Sequence, residues 1–180
     1  MEREAHAEER LFMPYFKRVK SRVRKELETL KFRDERVSER LAMQIAEKCM
    51  WIPLRCLIFE MHELKERSML SGKDSVQMYE SYLEDYLGNE KYLLWFEQKY
   101  PLIQELISKK IRDTVSFVRE LLEHLRQDER AVAEELCGGK EFGAVEDMEL
   151  YRSDEHVSGK TVARLRLDNG CTVYYKPKDL

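Results

Sequence analysis

The sequence predicts an α+β fold, in which an N-terminal helical bundle is followed by a small antiparallel β-sheet. Apolar residues recur every three or four positions as far as about residue 136, and they alternate with polar residues between residues 161 and 176. The first period is that of amphipathic helices, and the second is that of strands with one buried face. We therefore divide the chain into a helical region, 1–146, and the beginning of a sheet, 147–180.

Several helices are predicted in the first region, and we expect their apolar stripes to form its core. The first stripe runs from Leu11 to Leu30, and Ser38 is the predicted N-cap of the second helix. Pro53 should kink or restart that second helix, because proline lacks the backbone N–H that a helix interior needs. Further helices are predicted over four stretches: 76–87, 92–96, 103–125 and 128–136.

A β-hairpin is predicted around Asp168-Asn169-Gly170, a sequence typical of turns that need positive φ. If the loop has three residues and Gly170 is left-handed, Leu165 lies opposite Val173 and one face of the hairpin is wholly apolar. A two-residue loop would mix apolar and polar side chains on each face, so we prefer the first register. It places Lys176 opposite Val162, on the face away from the apolar layer.

The elements before the hairpin complete a layout found in kinase-type nucleotide lobes. A lead-in strand is predicted over residues 148–151, and a turn that contains Gly159 follows over residues 153–160. In such lobes the turn backbone covers the phosphates and a strand lysine neutralises them. A hairpin that ends in Lys-Pro is also common in proteins without a nucleotide, so the spacing alone leaves both interpretations open.

Composition and charge exclude several classes of protein. The chain has 180 residues, 32 basic and 35 acidic, with a net charge of −3. The two signs are interspersed, which predicts no nucleic-acid partner. No apolar run approaches the ~20 residues of a membrane span, and the charged N-terminus predicts a cytoplasmic protein. The four cysteines form no metal-binding spacing, so we expect reduced thiols and no metal site.

The last thirty residues resemble the dehydratase domain of class II lanthipeptide synthetases. The resemblance is carried by Ser153-Asp154-x-His156-x-x-Gly159-Lys160-x-Val162, the Asn169-Gly170 hairpin and Val173-Tyr174-Tyr175-Lys176-Pro177-Lys178-Asp179-Leu180. It is specific over 148–180 and looser over 76–147, where Tyr100-Pro101-Leu102 is similar to a family segment before a long helix. Two departures are the Val157-Ser158 pair in the turn and the bulky Tyr174 two positions before the lysine.

The resemblance implies a lipid-kinase-like fold that uses ATP and Mg²⁺. Such a domain phosphorylates Ser and Thr of a precursor peptide and then eliminates phosphate to leave dehydro amino acids. Carried over to this sequence, Lys176 is the ATP lysine, and Gly159, Lys160 and Val162 complete the cofactor-binding set. Asp154 and His156 are the catalytic pair of the turn, although without the resemblance the residues favour a turn cap and a surface histidine.

The resemblance also implies that the 180 residues end just after the ATP lysine. The downstream lobe, with its catalytic Asp, His and Asn, and the zinc-containing cyclase domain would then be partners missing from the chain, beside the precursor peptide. We expect the isolated chain neither to phosphorylate nor to dehydrate a peptide. Two alternatives remain: a helical peptide- or partner-binding module without catalysis, and a different kinase-like enzyme that shares only the lysine hairpin.

Overall fold

The fold is α+β, as the sequence predicts. The computed structural model describes residues 11–139, 141–153 and 160–177. Helices occupy most of the chain before residue 137, and a three-stranded antiparallel sheet follows. The helices are α1 Met13–Leu27, α2 Glu35–Met50, α3 Leu54–Glu66, α4 Ser75–Ser81, α5 Glu90–Lys99, α6 Pro101–Gln127 and the single turn α7 Glu129–Ala131. The strands are β1 Val145–Glu149, β2 Ala163–Leu167 and β3 Thr172–Tyr175.

The ends of α2 correct one prediction and confirm another. Asp34 caps the helix, because its carboxylate accepts the backbone N–H of Arg36 at 2.9 Å. Ser38 therefore lies inside α2 rather than at its N-cap, and the prediction there was wrong. Pro53 does interrupt the helical run, since α2 ends at Met50 and α3 begins at Leu54 directly after the proline.

Two predicted helices contain π-helical turns. Asp74 caps α4 by accepting the N–H groups of Val76 and Gln77 at 3.0 and 2.9 Å, and the chain then continues as the π-helical segment Tyr82–Leu87. The helical run after residue 128 is α7 followed by the π-helical segment Val132–Leu136. A π-helical turn shifts the side chains around the helix axis, and the sequence periodicity did not predict either one.

The chain folds as two compact units, each with its own core. The first unit comprises Met1–Arg22 and Ala46–Lys109, and the second comprises Val23–Ile45 and Lys110–Leu180. This division does not test the predicted boundary between residues 146 and 147. Buried side chains of the first unit include Tyr15, Phe16, Leu57, Tyr82, Phe96 and Ile107. Those of the second include Leu27, Leu41, Phe117, Leu121, Met148 and Leu165.

The hairpin has the predicted register. Leu165 pairs with Val173 and Ala163 with Tyr175, and Gly170 has a φ of 82° in the turn. The Leu167 N–H donates to the Cys171 carbonyl at 2.8 Å and closes the three-residue loop. The sheet order is β1-β2-β3.

The lead-in strand lies earlier than predicted. β1 is Val145–Glu149 rather than 148–151, and its pairing with β2 contains an irregularity between Val145 and Asp147. Tyr151 has a φ of 60°, which an extended strand cannot accommodate, so the strand ends before it.

The prediction of reduced thiols is wrong for two of the four cysteines. Cys137 and Cys171 form a disulfide with a Cα–Cα distance of 5.5 Å, whereas Cys49 and Cys56 are not disulfide-bonded. Among the described residues, no helix has both the length and the apolar character needed to cross a membrane.

Candidate functional site

The two faces of the sheet in the second unit have opposite chemistry. Ala163, Leu165 and Leu167 of β2 are fully buried, and Val173 of β3 is 7% exposed. Between these positions, Arg164 is half-buried, and Arg166 and Thr172 are exposed. Tyr174 is 59% exposed, and Lys176, which directly follows the strand, is exposed as well. The polar outer face is therefore the part of the sheet that a ligand can reach.

The carboxylates of β1 are paired with arginines. Glu149 forms an ion pair with Arg164, which lies opposite it on β2, and its second oxygen is 3.5 Å from Arg152. Asp147 is paired with Arg40 of α2 at 2.7 Å. Glu149 is therefore flanked by two positively charged guanidinium groups, those of Arg152 and Arg164.

Lys176 adds to this positive charge. Arg164 pairs with Tyr174, so Lys176, two positions further along β3, is its diagonal neighbour at a typical Cα separation of ~7–8 Å. Among the residues that the structure describes, Lys176 makes no ion pair. Its ammonium group can therefore bind an anion without first breaking an ion pair to any of these described residues.

The turn before β2 is fixed at both of its ends. The Arg152 N–H donates to the Val162 carbonyl at 3.0 Å, and the Val162 N–H donates to the Ser153 hydroxyl at 3.1 Å. Thr161 is fully buried, and its hydroxyl donates to the Ser153 carbonyl at 3.2 Å. The predicted site residues Asp154, His156 and Gly159 lie outside the described residues.

Lys160 and Val162 occupy different surroundings. Lys160 is half-buried, and its Nζ is 3.4 Å from a carboxylate oxygen of Glu120 on α6. Val162 is half-buried at the base of the turn, one residue before β2. The structure thus directs Lys160 towards α6, whereas Val162 and Lys176 remain near the outer face of the hairpin.

Helix α6 also anchors the residue before Lys176. The Tyr175 hydroxyl and the His124 Nδ1 atom are 2.8 Å apart, and the Tyr175 ring contacts Phe117 with a centroid separation of 5.9 Å. Burial, together with the negative charge of Glu120, raises the pKa of the Tyr175 phenol. His124 and Glu120 are one helical turn apart, so one side of α6 holds both the end of β3 and the residue after the turn. The sequence analysis missed both residues, because each is an ordinary polar residue on the exposed face of an amphipathic helix.

These residues fit the phosphate end of a nucleotide. A polyphosphate needs fixed positive charge, which Lys176 provides beside Arg164, and a rigid turn base, which Ser153 and Thr161 provide. The described ranges contain no group of three or more His, Cys, Asp or Glu side chains that could hold a metal ion such as Mg²⁺.

Comparison with known proteins gives a match for the C-terminal part of the chain. A search among curated proteins returned no match. Residues 100–180, a little less than half of the chain, match a family model described as "Domain of unknown function (DUF4135)". The matched stretch includes α6, all three strands and Lys176, and this domain is known in lanthipeptide synthetase-like proteins.

Proposed function

We propose that the chain is part of an ATP-dependent lanthipeptide dehydratase and contributes the nucleotide-binding sheet of that enzyme. The enzyme would phosphorylate Ser and Thr hydroxyls of a precursor peptide and then eliminate phosphate to give dehydro amino acids. The observation that carries the proposal is Lys176: an exposed lysine at the end of β3, on the polar face of a sheet that the matched family domain contains.

Each candidate residue has a role that follows from its position. Lys176 would hold phosphate oxygens, and Val162, on the same side of the hairpin, would pack against the base. Lys160, paired with Glu120, would hold the C-terminal end of the turn in place rather than bind phosphate itself. Asp154, His156 and Gly159 of the turn are proposed to lie near the transferred phosphate. Bound ATP and Mg²⁺ would supply the phosphoryl group and neutralise its charge.

Nucleotide binding can be tested on the 180-residue chain by NMR, which detects weak complexes. Adding ATP and MgCl₂ should shift amide signals at residues 160–164 and 172–176, and Lys176→Ala should weaken the response roughly tenfold, the cost of losing one charge-assisted contact. Lys31→Ala is the matched control, because Lys31 is also an exposed lysine of the second unit. Equal responses from both variants, or shifts elsewhere in the chain, would refute the assigned site.

The reaction is tested with the whole open reading frame that contains these residues. Incubation with candidate precursor peptides, ATP and Mg²⁺ should give phosphopeptide and dehydrated peptide by mass spectrometry. Lys176→Ala should lower the yield by ~10²–10³-fold, as expected for loss of an electrostatic group that acts on the transition state. Undiminished dehydration by this variant would reject Lys176 as the ATP lysine.

A second candidate function is a helical peptide- or partner-binding module without catalysis. It is favoured by an open apolar groove in the first unit, where Trp51 is 62% exposed. The groove is lined by Leu11, Phe12, Phe16, Glu47, Met50, Trp51 and Leu54. Capture of the same precursor peptides without ATP, lost on Trp51→Ala but kept on Lys176→Ala, would favour this function. A different kinase-like enzyme would instead bind ATP through Lys176 and leave these peptides unmodified.

A further inference from the structure

The Cys137–Cys171 disulfide joins the last helical segment to the β-hairpin within the second unit. Cys137 directly follows the π-helical segment Val132–Leu136, and its N–H donates to the Val132 carbonyl at 3.0 Å. Cys171 directly follows the Gly170 turn, and its N–H donates to the Asn169 side chain at 2.8 Å. The two cysteines are separated by 34 positions, and the closed loop contains β1, the turn and β2.

A small apolar cluster surrounds the two sulfur atoms. Cys137, Leu167 and Val173 form its buried part, and Phe142, Val145 and Cys171 pack against it among other side chains. The cluster lies at the turn end of the hairpin, opposite the end that bears Lys176. The disulfide links this end of the hairpin covalently to the helical segment, in addition to the hydrogen bond that the Asn169 amide donates to the Glu141 carbonyl at 2.9 Å.

The two cysteine residues differ in exposure. Cys137 is 7% exposed, whereas Cys171 is half-buried in a turn at the surface. A soluble thiol or disulfide can therefore reach Cys171 first. The two cysteines outside this disulfide lie in the first unit and are less suited to exchange. Cys49 is fully buried, and burial raises the pKa of the Cys56 thiol, which lowers its thiolate fraction at neutral pH.

We propose that Cys137 and Cys171 form a reversible redox modification site, which exchanges with low-molecular-weight thiols and disulfides and thereby fixes or releases the hairpin. This goes beyond the proposed function and does not depend on it, because the hairpin is held whether or not it binds a nucleotide. In compartments where reduced thiols predominate, protein disulfides are usually regulatory rather than structural.

The chemistry needs only a soluble disulfide as oxidant. The Cys171 thiolate attacks one sulfur of that disulfide, breaks its S–S bond and expels one thiolate. The Cys137 thiolate then attacks the Cys171 sulfur of the mixed disulfide and expels the second thiolate. The two cysteines are oxidised, the soluble disulfide is reduced to two thiols, and the protons lost by the cysteines are taken up by the expelled thiolates. Reduction by two soluble thiols follows the same steps in reverse.

The covalent part is tested by equilibrating the whole chain in mixtures of oxidised and reduced glutathione. After acid quenching and alkylation, peptide mapping should find residues 137 and 171 cross-linked at high ratios of oxidised to reduced glutathione and alkylated at low ratios. Returning the protein to the starting ratio before quenching should restore the starting state. Cys56→Ser should not alter this titration, whereas Cys171→Ser should abolish the cross-link. A cross-link absent at every ratio, or one that no glutathione ratio reduces in the folded protein, would overturn the proposal.

The structural part is tested by hydrogen exchange on the oxidised and reduced forms. Amides of β3, Thr172–Tyr175, should exchange roughly tenfold faster after reduction, because the cross-link no longer limits local opening. Amides of α5 in the first unit should be unchanged. The double variant Cys137→Ser and Cys171→Ser should match the reduced protein, which separates loss of the bond from side effects of the reductant. Equal β3 exchange in both forms would show that the disulfide does not control the hairpin.

Discussion

The two units of the molecule differ in where they keep charge. The first unit buries a carboxylate: Glu60 is 3% exposed and accepts hydrogen bonds from the Lys99 ammonium, at 2.7 Å, and from the Tyr100 hydroxyl. Among the described residues of the second unit, the buried polar side chains are the neutral hydroxyls of Thr114 and Thr161. The ion pairs described in this unit, both on the sheet and among its helical residues, involve side chains that are at least partly exposed. The buried Glu60 carboxylate is fixed by its partners and acts on stability, whereas an exposed cation such as Lys176 is accessible to a ligand.

The surroundings of Glu60 are aromatic as well as charged. Lys99 lies over the Trp95 ring at 4.8 Å from its centroid, so the ammonium has a cation–π contact in addition to the carboxylate. The buried hydroxyls of Tyr82 and Tyr92 have no hydrogen-bond partner among the described residues. Burial raises the pKa of the Tyr82 phenol, and the neighbouring Tyr92 adds to this shift.

The largest effect is expected from Glu60→Ala. The change leaves Lys99 and Tyr100 without their acceptor, and breaking a buried pair usually costs ~3–5 kcal/mol of unfolding free energy. Because the Lys99 side chain is 40% exposed and water can replace part of the interaction, we expect about 2–3 kcal/mol. Urea denaturation monitored by circular dichroism measures this loss.

Glu63→Ala is the matched control for Glu60. Both residues lie on α3, but Glu63 forms a surface ion pair with Arg67, at 3.0 Å. Its replacement should cost less than ~0.5 kcal/mol. If the two variants are equally stable, Glu60 is not the buried ion on which the comparison of the two units rests.

The second prediction concerns Gln44, which binds the backbone beside β1 in the second unit. Its amide nitrogen donates to the Met148 carbonyl at 2.9 Å, and its oxygen accepts the Leu150 N–H at 2.8 Å. Gln44→Ala leaves both backbone groups unpaired near buried side chains and should cost about 2 kcal/mol of unfolding free energy. The loss should appear as faster amide exchange across β1.

Gln44→Glu sharpens this prediction through pH. The ionised carboxylate can still accept from Leu150 but cannot donate to Met148, whereas the protonated acid can do both. The folded protein should therefore raise the pKa of the new carboxyl above its unfolded value of ~4.3. The stability that protonation of the new carboxyl recovers should be complete below the unfolded pKa of ~4.3 and lost as pH rises through the folded pKa. A variant that only loses stability on acidification, relative to wild type, would contradict the double hydrogen bond.

The sequence predicted those parts of the fold that depend on local alternation. The pairing of Leu165 with Val173 was predicted because it places the apolar side chains of the hairpin on one face. A register shift of one residue would have exposed those side chains to solvent. Other features depend on contacts distant in the sequence. The sequence around Glu60 and Glu63 does not indicate which of the two carboxylates is buried. The spacing of the four cysteines likewise does not indicate that Cys137 pairs with Cys171. Of the candidate site, the outward position of Lys176 was predictable, whereas the contacts of Glu120 and His124 required the packing of α6.

A smaller effect is expected at alkaline pH in the first unit. Burial, reinforced by the charge of Glu60, raises the pKa of Tyr92 to about 12. An unfolded tyrosine titrates near ~10, so above that pH ionisation favours the unfolded state. The stability linked to the neutral Tyr92 phenol is therefore complete below that pH and is lost as pH rises towards the folded value. Tyr92→Phe should leave neutral stability within ~1 kcal/mol and should reduce the alkaline loss. Tyr174→Phe, at a ring that is 59% exposed, is the control and should keep the wild-type alkaline profile.

The smallest effect on stability is expected from Lys176→Ala, and it is the counterpart of the Glu60 experiment. Lys176 is exposed and has no ion pair among the described residues, so its removal opens no cavity and leaves no buried charge unpaired. The unfolding free energy should change by less than ~0.5 kcal/mol, as for most surface substitutions. A loss as large as that of Glu60→Ala would mean that Lys176 serves the fold, and the second unit would then resemble the first in how it uses charge. An unchanged urea midpoint together with a loss of ATP-dependent amide shifts would place Lys176 in ligand binding alone, since no structural role predicts both results.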